Sequence, residues 1–176
     1  VFSAHLAQEI EADRIAARPS DAVRFATILK QEGFPLSRIR FVHITGEPLT
    51  SAAISLLKRL YPSAFLLYSY AMTEGPGFIG AKSSLCVNLH EISPDAYHLN
   101  TRDFVLETVR GSLVVTALYK MPTPLIRYDT GDHIIITEDF QCSCGFPKGA
   151  IGVLGSRLGE ESYKIGGCTF QAEDVK

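Results

Sequence analysis

A short apolar run at residues 64–68, followed at once by a polar turn, constrains the fold more than any other stretch of the sequence. The run reads Ala-Phe-Leu-Leu-Tyr, which predicts a strand buried on both faces. Thr73 and Glu74 follow where this strand must end, and glycine and proline at residues 75–77 then force a turn. Ligands of open α/β sheets bind at the carboxyl ends of the strands, so Thr73 and Glu74 are candidate site residues. The alternative is an ordinary solvated turn.

Strands and helices alternate before this run, which predicts an α/β fold with a parallel sheet and flanking helices. Apolar stripes at helical spacing separate the strand-like runs, and the connections are expected to be right-handed crossovers. The predicted elements are, in order, a helix at residues 2–12, a strand at 14–17, a helix capped by Ser20, a strand at 39–45 and a helix capped by Thr50.

A second polar turn, Gly46-Glu47-Pro48, ends the predicted strand at residues 39–45. Neighbouring parallel strands end at the same edge of a sheet, so this turn is expected to lie beside Thr73 and Glu74. The coincidence of two such turns favours a ligand site over an ordinary strand end.

The pattern changes after residue 78, where β-branched runs replace helical periodicity up to about residue 150. These runs predict a small antiparallel β-barrel-like unit packed against the α/β part. Within it, Arg110-Gly111 is a plausible hairpin turn between two strand-like runs.

The composition excludes several classes of protein. The chain carries 17 basic and 19 acidic residues, a net charge of −2, so it has no broad basic field for nucleic acid or an anionic membrane. No apolar run approaches the roughly 20 residues of a membrane-spanning helix. Four cysteines in a chain of this length do not form a disulfide scaffold, so we expect a cytoplasmic protein.

Four segments occur in a fixed order along the chain. They are Gly46-Glu47-Pro48-Leu49, Tyr70-Ala71-Met72-Thr73-Glu74, Ile126-Arg127-Tyr128-Asp129-Thr130-Gly131-Asp132, and Gly155-Ser156-Arg157 followed by Lys164-Ile165-Gly166-Gly167. Their order and spacing resemble the adenylate-forming superfamily of acyl-CoA ligases, adenylation domains and luciferases. Within it, the chain is most similar to the phenylacetate–CoA ligase group, because of Arg18-Pro19-Ser20, the Cys-x-Cys-Gly at residues 142–145 and the compact β region.

The resemblance implies an enzyme that activates a carboxylic acid with ATP and Mg²⁺. An acyl-adenylate and pyrophosphate form first, and the acyl group then passes to coenzyme A as a thioester. Two alternatives stay open: adenylation with a carrier protein or a protein side chain as acceptor, and a non-catalytic nucleotide-binding or zinc-stabilised module. The resemblance also raises the question of a homodimer.

The resemblance further implies a division of the chain into three parts. These are a partial α/β nucleotide-binding subdomain at residues 1–82, an antiparallel β subdomain at 83–154, and a hinge with the start of a C-terminal domain at 155–176.

The same resemblance assigns roles to residues of the matched segments. Tyr70 lies against the adenine ring, and Asp132 accepts hydrogen bonds from both ribose hydroxyls. Thr73 donates to the α-phosphate and Glu74 holds Mg²⁺, so these two are the predicted catalytic residues. The other predicted nucleotide-binding residues are Gly46, Glu47 and Pro48 as a backbone wall beside adenine, Ala71 and Met72 beside Tyr70, and Arg157 near ribose or phosphate.

Each of these residues also has a purely structural interpretation. Tyr70 is alternatively a core aromatic residue, and Asp132 a turn residue. Arg127 is expected to pair with a structural carboxylate rather than to touch the nucleotide, and Glu47 to face solvent or to cap the next helix. Residues in and around the segment 70–74, called the central motif below, are predicted to line the pocket for the acid and favour an apolar or aromatic acid. They are Tyr68, Ala71, Met72, Pro76, Gly77 and Phe78.

Two pairs of potential metal ligands lie on separate segments. Cys142 and Cys144 form a tight Cys-x-Cys pair, and Cys86 is followed by His90. Together these four residues predict a closed, structural zinc site of the Cys₃His type. His98 competes with His90 as the fourth ligand, and reduced thiols without metal are the alternative.

By the resemblance, a phosphate loop rich in Ser, Thr and Gly is expected before Val1, and a catalytic lysine in a domain after Lys176. The chain by itself is therefore expected not to complete a ligase reaction. A pyrophosphate-release assay with ATP and a panel of carboxylic acids checks this expectation, and turnover by the isolated chain would contradict it.

Overall fold

The computed structural model describes residues 2–75, 77–119, 124–157, 162–165 and 168–171. Its helices are α1 (Phe2–Glu9), α2 (Pro19–Gln31), α3 (Ser51–Leu60) and α4 (Val87–Ile92), with a short 3₁₀ helix at Leu36–Arg38. Its strands are β1 (Arg14–Ala17), β2 (Phe41–Ile44), β3 (Phe65–Tyr70), β4 (Gly80–Ser83), β5 (Ala96–Leu99), β6 (Phe104–Val109), β7 (Ser112–Ala117), β8 (Tyr128–Phe140), β9 (Gly149–Arg157), β10 (Ser162–Ile165) and β11 (Cys168–Gln171).

Nine of these strands form one mixed sheet in the order β1-β2-β3-β4-β5-β9-β8-β7-β6. The pairs β1–β2 and β2–β3 are parallel, and every later pair in the sheet is antiparallel. The predicted α/β class is therefore confirmed, with the antiparallel strands following the parallel ones. Within the described residues β1 and β6 are the two ends of the sheet and do not pair, so the sheet is open and the predicted barrel-like unit is corrected to the antiparallel half of one continuous sheet. The predicted three-part division of the chain stays a prediction.

The parallel strands pack one face against α2 and α3. Ala22, Ala26 and Leu29 of α2 are fully buried, as the apolar spacing of this helix predicts. They share a core with Leu57 of α3 and Leu66 of β3. Each fully buried leucine contributes about 1.5–3 kcal/mol relative to exposure. This core holds the carboxyl ends of β2 and β3, and hence the two candidate turns, on a rigid support.

The start of α2 differs from the prediction of an N-cap at Ser20. The helix begins at Pro19, and its N-cap, Arg18, makes no side-chain capping bond. Proline is favoured at the first helical position because its fixed φ suits a helix and it has no N–H to satisfy. Ser20 is thereby placed inside the first turn, where its N–H and hydroxyl both donate to the carboxylate of Glu47, at 3.3 Å and 2.9 Å.

The cap of α3 follows the prediction. The hydroxyl of Thr50 accepts the backbone N–H of Ala53 at 3.1 Å. The hairpin turn between β6 and β7 also lies where it was predicted, since Arg110 and Gly111 have φ of 53° and 86°. Positive φ at both central residues is what a type I′ hairpin turn requires.

Helix α4 interrupts the region in which no helical periodicity was found. It contains six residues, too few to show a repeating apolar stripe in the sequence. Leu89 is its buried residue, and it joins Cys86, Ala96, Cys142 and Ile151 in a small separate core. Within the described parts of the chain, no helix has the length and apolarity needed to cross a membrane.

Replacing Glu47 by alanine is expected to destabilise the protein. Its side chain is only 6% exposed and binds the first turn of α2, where a carboxylate also complements the helix dipole. We expect Glu47→Ala to lower the free energy of unfolding by about 1–2 kcal/mol in urea denaturation, and Glu47→Gln to lower it by less. Glu91→Ala, at an exposed position of α4, is the control; an equal effect of both alanine substitutions would contradict this role.

Candidate functional site

Tyr70, the last residue of β3, contacts Asp132 of β8 directly. The tyrosine hydroxyl donates to Oδ2 of Asp132 at 2.5 Å, across 62 residues of sequence. Four strand spacings separate β3 from β8 in the sheet, about 19 Å if the sheet were flat. Two side chains cannot bridge that distance, so the sheet must curve and bring the two strands together. The curvature thus joins the residues predicted to bind adenine and ribose.

Thr73 and Glu74 lie in the exposed turn that follows β3. The hydroxyl of Tyr128 donates to Oε1 of Glu74 at 3.3 Å. Glu74 lines an open cleft of about 640 Å³, whose other walls are Pro124, Leu125, Ile126, Arg127, Tyr128 and Asp129. A carboxylate beside an open cleft of this size has room for a hydrated cation and a phosphate chain.

Arg127 is paired with a structural carboxylate, as the sequence analysis expects. Its guanidinium lies 3.4 Å from Oε1 of Glu107 on the neighbouring hairpin. Both side chains are substantially exposed, so this ion pair is weak and can rearrange.

The turn at Gly46-Glu47-Pro48 presents its backbone, because its one charged side chain is engaged elsewhere. Gly46 has φ of 85°, a conformation that favours glycine. The carboxylate of Glu47 binds Ser20 and lies 3.9 Å from Nε of Arg18. It therefore neither faces solvent nor caps the next helix, which corrects the expectation for Glu47. The backbone N–H of Leu49 donates to Oδ1 of Asp95 at 3.1 Å.

The residues around the central motif differ in accessibility. Ala71 and Met72 are half-buried directly after Tyr70. Gly77 and Phe78 are exposed and available to a ligand. Pro76 lies outside the described residues.

Tyr68 is the exception among the residues predicted to line the acid pocket. Its ring is fully buried and meets the ring of His90 edge-on, with centroids 5.7 Å apart. In the described part of the chain, neither its hydroxyl nor Nδ1 of His90 has a hydrogen-bond partner. Burial raises the pKa of Tyr68 and lowers that of His90 to about 4, so both groups are neutral. Tyr68 is a core residue, which corrects its assignment to the pocket.

Arg157 lies opposite Asp132 in the register of β8 and β9. Its backbone therefore reaches the candidate site, whereas its side chain lies outside the described part of the structure.

Three cysteines and a histidine converge where the start of α4, strand β5 and the β8–β9 connection meet. Their ligand atoms all lie within 4.8 Å of one another, and the four residues are Cys86, His98, Cys142 and Cys144. Nε2 of His98 lies 3.4 Å from the sulfur of Cys144. Tetrahedral zinc with four such ligands would place the sulfurs about 3.8 Å apart, so modest contraction suffices.

The fourth member of this cluster is His98 and not His90, which corrects the predicted ligand set. The ring of His90 instead contacts the carbonyl of Ser83, with Nε2 at 3.1 Å. The short spacing between Cys86 and His90 favours His90 as a metal ligand only if the intervening residues form a tight turn. These residues instead belong to α4, which places the ring of His90 against Tyr68. His98, on β5, lies beside the three cysteines.

Backbone amides surround the sulfurs of the cluster. The N–H of Ser83 donates to Cys86 at 3.3 Å, and the N–H of Phe146 donates to Cys144 at 3.5 Å. Burial raises the pKa of Cys86 to about 11, against the effect of these bonds. For Cys142, burial also raises the pKa, but hydrogen bonds from Cys144 and its neighbours outweigh it and the pKa is lowered. The amides are arranged to support thiolates once a cation is bound.

A buried lysine near this cluster was not found by sequence analysis. Lys82 of β4 is 2% exposed, and its ammonium donates to the carbonyls of Ser93 and Pro94. It also lies 5.0 Å from the centre of the Tyr97 ring. Burial lowers the pKa of Lys82 to about 8, and the nearby carboxylate of Asp95 opposes this shift. A single lysine in a strand gives no sequence signal that distinguishes it from an exposed one.

The fold is similar to that of several solved structures. 2-Hydroxyisobutyryl-CoA ligase, in complex with 2-HIB-AMP and CoA, superposes with a TM-score of 0.74 at 19% identity, over 98% of this chain and 39% of its own. The anthranilate CoA ligase AuaEII, in complex with anthranoyl-AMP, gives a TM-score of 0.63 at 14% identity, over 96% and 34%. MenE from E. coli gives a TM-score of 0.55 at 12% identity, over 93% and 34%.

Neither a protein-family model nor a curated protein matches the sequence. The chain spans about two-fifths of the length of the first of these structures. Two of the three structures are CoA ligases by name, and each of these two contains a bound acyl-adenylate. The chain therefore has the fold of a segment of 2-hydroxyisobutyryl-CoA ligase and of the anthranilate CoA ligase AuaEII.

Proposed function

We propose that this chain is part of an ATP-dependent acid–thiol ligase that forms an acyl-adenylate and then a coenzyme A thioester. The observation that carries the proposal is the contact between Tyr70 and Asp132, which unites two distant motif segments at one site. Glu74 adjoins the same site through Tyr128. Two segments that resemble one family in sequence thus meet in space through two separate contacts, on a fold shared with solved ligases of that family.

The proposed roles follow from the chemistry of each group. The ring of Tyr70 provides a face for adenine, and Asp132 provides acceptor oxygens for the ribose hydroxyls. The hydroxyl of Thr73 donates to the α-phosphate, on which the substrate carboxylate attacks and from which pyrophosphate leaves. Glu74 fits Mg²⁺, a hard cation that prefers carboxylate and phosphate oxygens. Mg²⁺ would neutralise the charge that accumulates on the phosphate oxygens.

The acceptor and the acid are the less constrained parts of the proposal. Coenzyme A is favoured because 2-hydroxyisobutyryl-CoA ligase, which shares the fold, was solved in complex with CoA. The Cys-x-Cys-Gly at residues 142–145 supports the phenylacetate–CoA ligase group. Exposed Phe78 beside Gly77 supports an apolar or aromatic acid. A cytoplasmic location is supported by free thiols at Cys86, Cys142 and Cys144.

Nucleotide binding is the direct test of the proposed site. AMP and Mg–ATP are expected to raise the thermal unfolding temperature of the chain by preferential binding to the folded state. Asp132→Ala removes the acceptor for the ribose hydroxyls and should lower the affinity for both nucleotides by about ten- to hundredfold. Glu74→Gln should weaken the binding of Mg–ATP but leave the affinity for AMP in the absence of Mg²⁺ unchanged, because the substitution alters only the cation site.

Glu138→Ala is the matched control for this test, since Glu138 is exposed on the same strand as Asp132. Titrations of unfolding temperature against nucleotide concentration give the apparent affinities. Equal affinities in Asp132→Ala and the parent would remove Asp132 from the site. An equal loss of affinity for AMP and for Mg–ATP in Glu74→Gln would contradict the assignment of Glu74 to the cation.

We also propose that Cys86, His98, Cys142 and Cys144 bind a structural zinc ion. The donor set is of the type that zinc prefers, and the ligand atoms are already gathered within 4.8 Å. Burial lowers the pKa of His98, so its imidazole is neutral and free to coordinate. The surrounding core is small and consists of Cys86, Leu89, Ala96, Cys142 and Ile151. A metal would hold together a region with little apolar surface of its own.

Zinc content of protein purified without chelators is expected to be about one equivalent. His98→Asn and Cys144→Ser should each reduce it strongly and lower the unfolding temperature. His90→Asn is the matched control and should retain the metal, because His90 contacts Ser83 instead. Cobalt substitution gives a second readout through its thiolate charge-transfer absorption. Less than a tenth of an equivalent in the parent, or loss of zinc in His90→Asn only, would contradict the assignment.

A further inference from the structure

Asp95 occupies a central position among the segments of the proposed nucleotide site. It lies in the turn between α4 and β5, and Oδ1 of its carboxylate accepts two hydrogen bonds. One comes from the backbone N–H of Leu49 at 3.1 Å, and the other from the hydroxyl of Tyr97 at 3.2 Å. Leu49 directly follows the Gly46-Glu47-Pro48 turn, so the carboxylate restrains the end of that turn.

Tyr97 extends this connection to the central motif. Its ring packs beside the ring of Tyr70, with centroids 6.3 Å apart and planes inclined by 36°. Tyr97 is itself only 4% exposed and therefore has little freedom to move. One carboxylate is thus linked to both surfaces proposed to enclose adenine: the turn through Leu49 and the ring of Tyr70 through Tyr97.

Lys82 holds the Asp95 turn in place. Its buried ammonium donates to the carbonyls of Ser93 and Pro94, the two residues that precede Asp95. It also lies against the ring of Tyr97 at 5.0 Å. A buried ammonium needs acceptors and nearby negative charge, and the carboxylate of Asp95 raises the pKa of Lys82 against the effect of burial. The position of the carboxylate is therefore fixed from two sides.

We propose that Asp95 is a positioning residue that sets the spacing between the Gly46–Leu49 turn and Tyr70. The proposal rests on the proposed function, since it concerns the adenine part of that site. A planar base needs about 7 Å between the surfaces that enclose it, because each face makes contact at about 3.5 Å. A gap widened by 1 Å loses much of this contact energy, so the spacing must be held by something rigid. The Leu49–Asp95–Tyr97 connection is the rigid element that joins the two surfaces.

The test compares binding of AMP with binding of ribose 5-phosphate, which lacks the base, by isothermal titration of the chain. Asp95→Ala should weaken AMP by about tenfold and leave ribose 5-phosphate within about twofold, because only the base depends on the spacing. Asp95→Asn retains an oxygen that accepts the Leu49 N–H, so it should restore AMP affinity to within about threefold of the parent. A role in stability alone would lower the unfolding temperature without changing the ratio of the two affinities.

Asp103→Ala is the matched control. Asp103 is likewise a turn carboxylate held by a hydrogen bond, from Asn100 at 3.0 Å, but it contacts neither adenine surface. If Asp95→Ala does not fold, Tyr97→Phe replaces it, since this variant keeps the ring and loses only the hydroxyl that binds Asp95. Tyr97→Phe should weaken AMP by at least about threefold relative to ribose 5-phosphate. An unchanged ratio in a folded variant would overturn the proposal.

The outcomes separate this inference from the proposed function. Failure of the parent chain to bind AMP would remove the proposed function, and the role of Asp95 with it. Normal binding in the parent, loss in Asp132→Ala and an unchanged affinity ratio in Asp95→Ala would keep the proposed function and remove only the role of Asp95.

Discussion

The curvature of the sheet is the constraint on which the candidate site depends. Tyr70 and Asp132 come from strands separated by three others, and only a curved sheet allows their side chains to touch. Two features of the strands that lie between or beside these residues accompany the curvature. A Cβ at Gly152 of β9 would lie 2.7 Å from the side chain of Ile134 on β8 and 2.9 Å from that of Leu99 on β5, so glycine leaves room for both side chains over β9. Register shifts between β8 and β9 add to the bend.

The parallel half of the fold was predictable because each of its signals is local. The apolar run before Tyr70, the stripe on α2 and the Thr50 cap each depend on a few adjacent residues, and each lies where it was predicted. The prediction of Ser20 as the N-cap was wrong because two helix-start signals lie side by side: serine favours the N-cap and proline favours the first helical position. The helix begins at Pro19. The partner of Ser20, Glu47, lies 27 residues away, and no local rule selects it.

The site was predictable as a set of segments but not as a set of contacts. The motif segments identify Tyr70, Glu74 and Asp132 one by one, whereas their proximity follows from the curvature of the sheet, which sequence periodicity does not reveal. The same limitation explains His98. Spacing alone favoured the nearer His90, and only the formation of α4 turns that ring away from the thiols. Asp95 and Lys82 gave no signal because burial of a single charged residue is decided by tertiary packing.

The bond between Tyr70 and Asp132 has a consequence for the entropy of ligand binding. A carboxylate can accept several hydrogen bonds, so the bond from Tyr70 is compatible with the role proposed for Asp132 towards ribose. The hydrogen bond to Asp132 restrains the tyrosine ring before any nucleotide arrives. Immobilising such a side chain on binding costs about 0.5–1.5 kcal/mol, a cost met here during folding. The surface proposed to receive the base is in this sense preorganised by the residue proposed to receive the sugar.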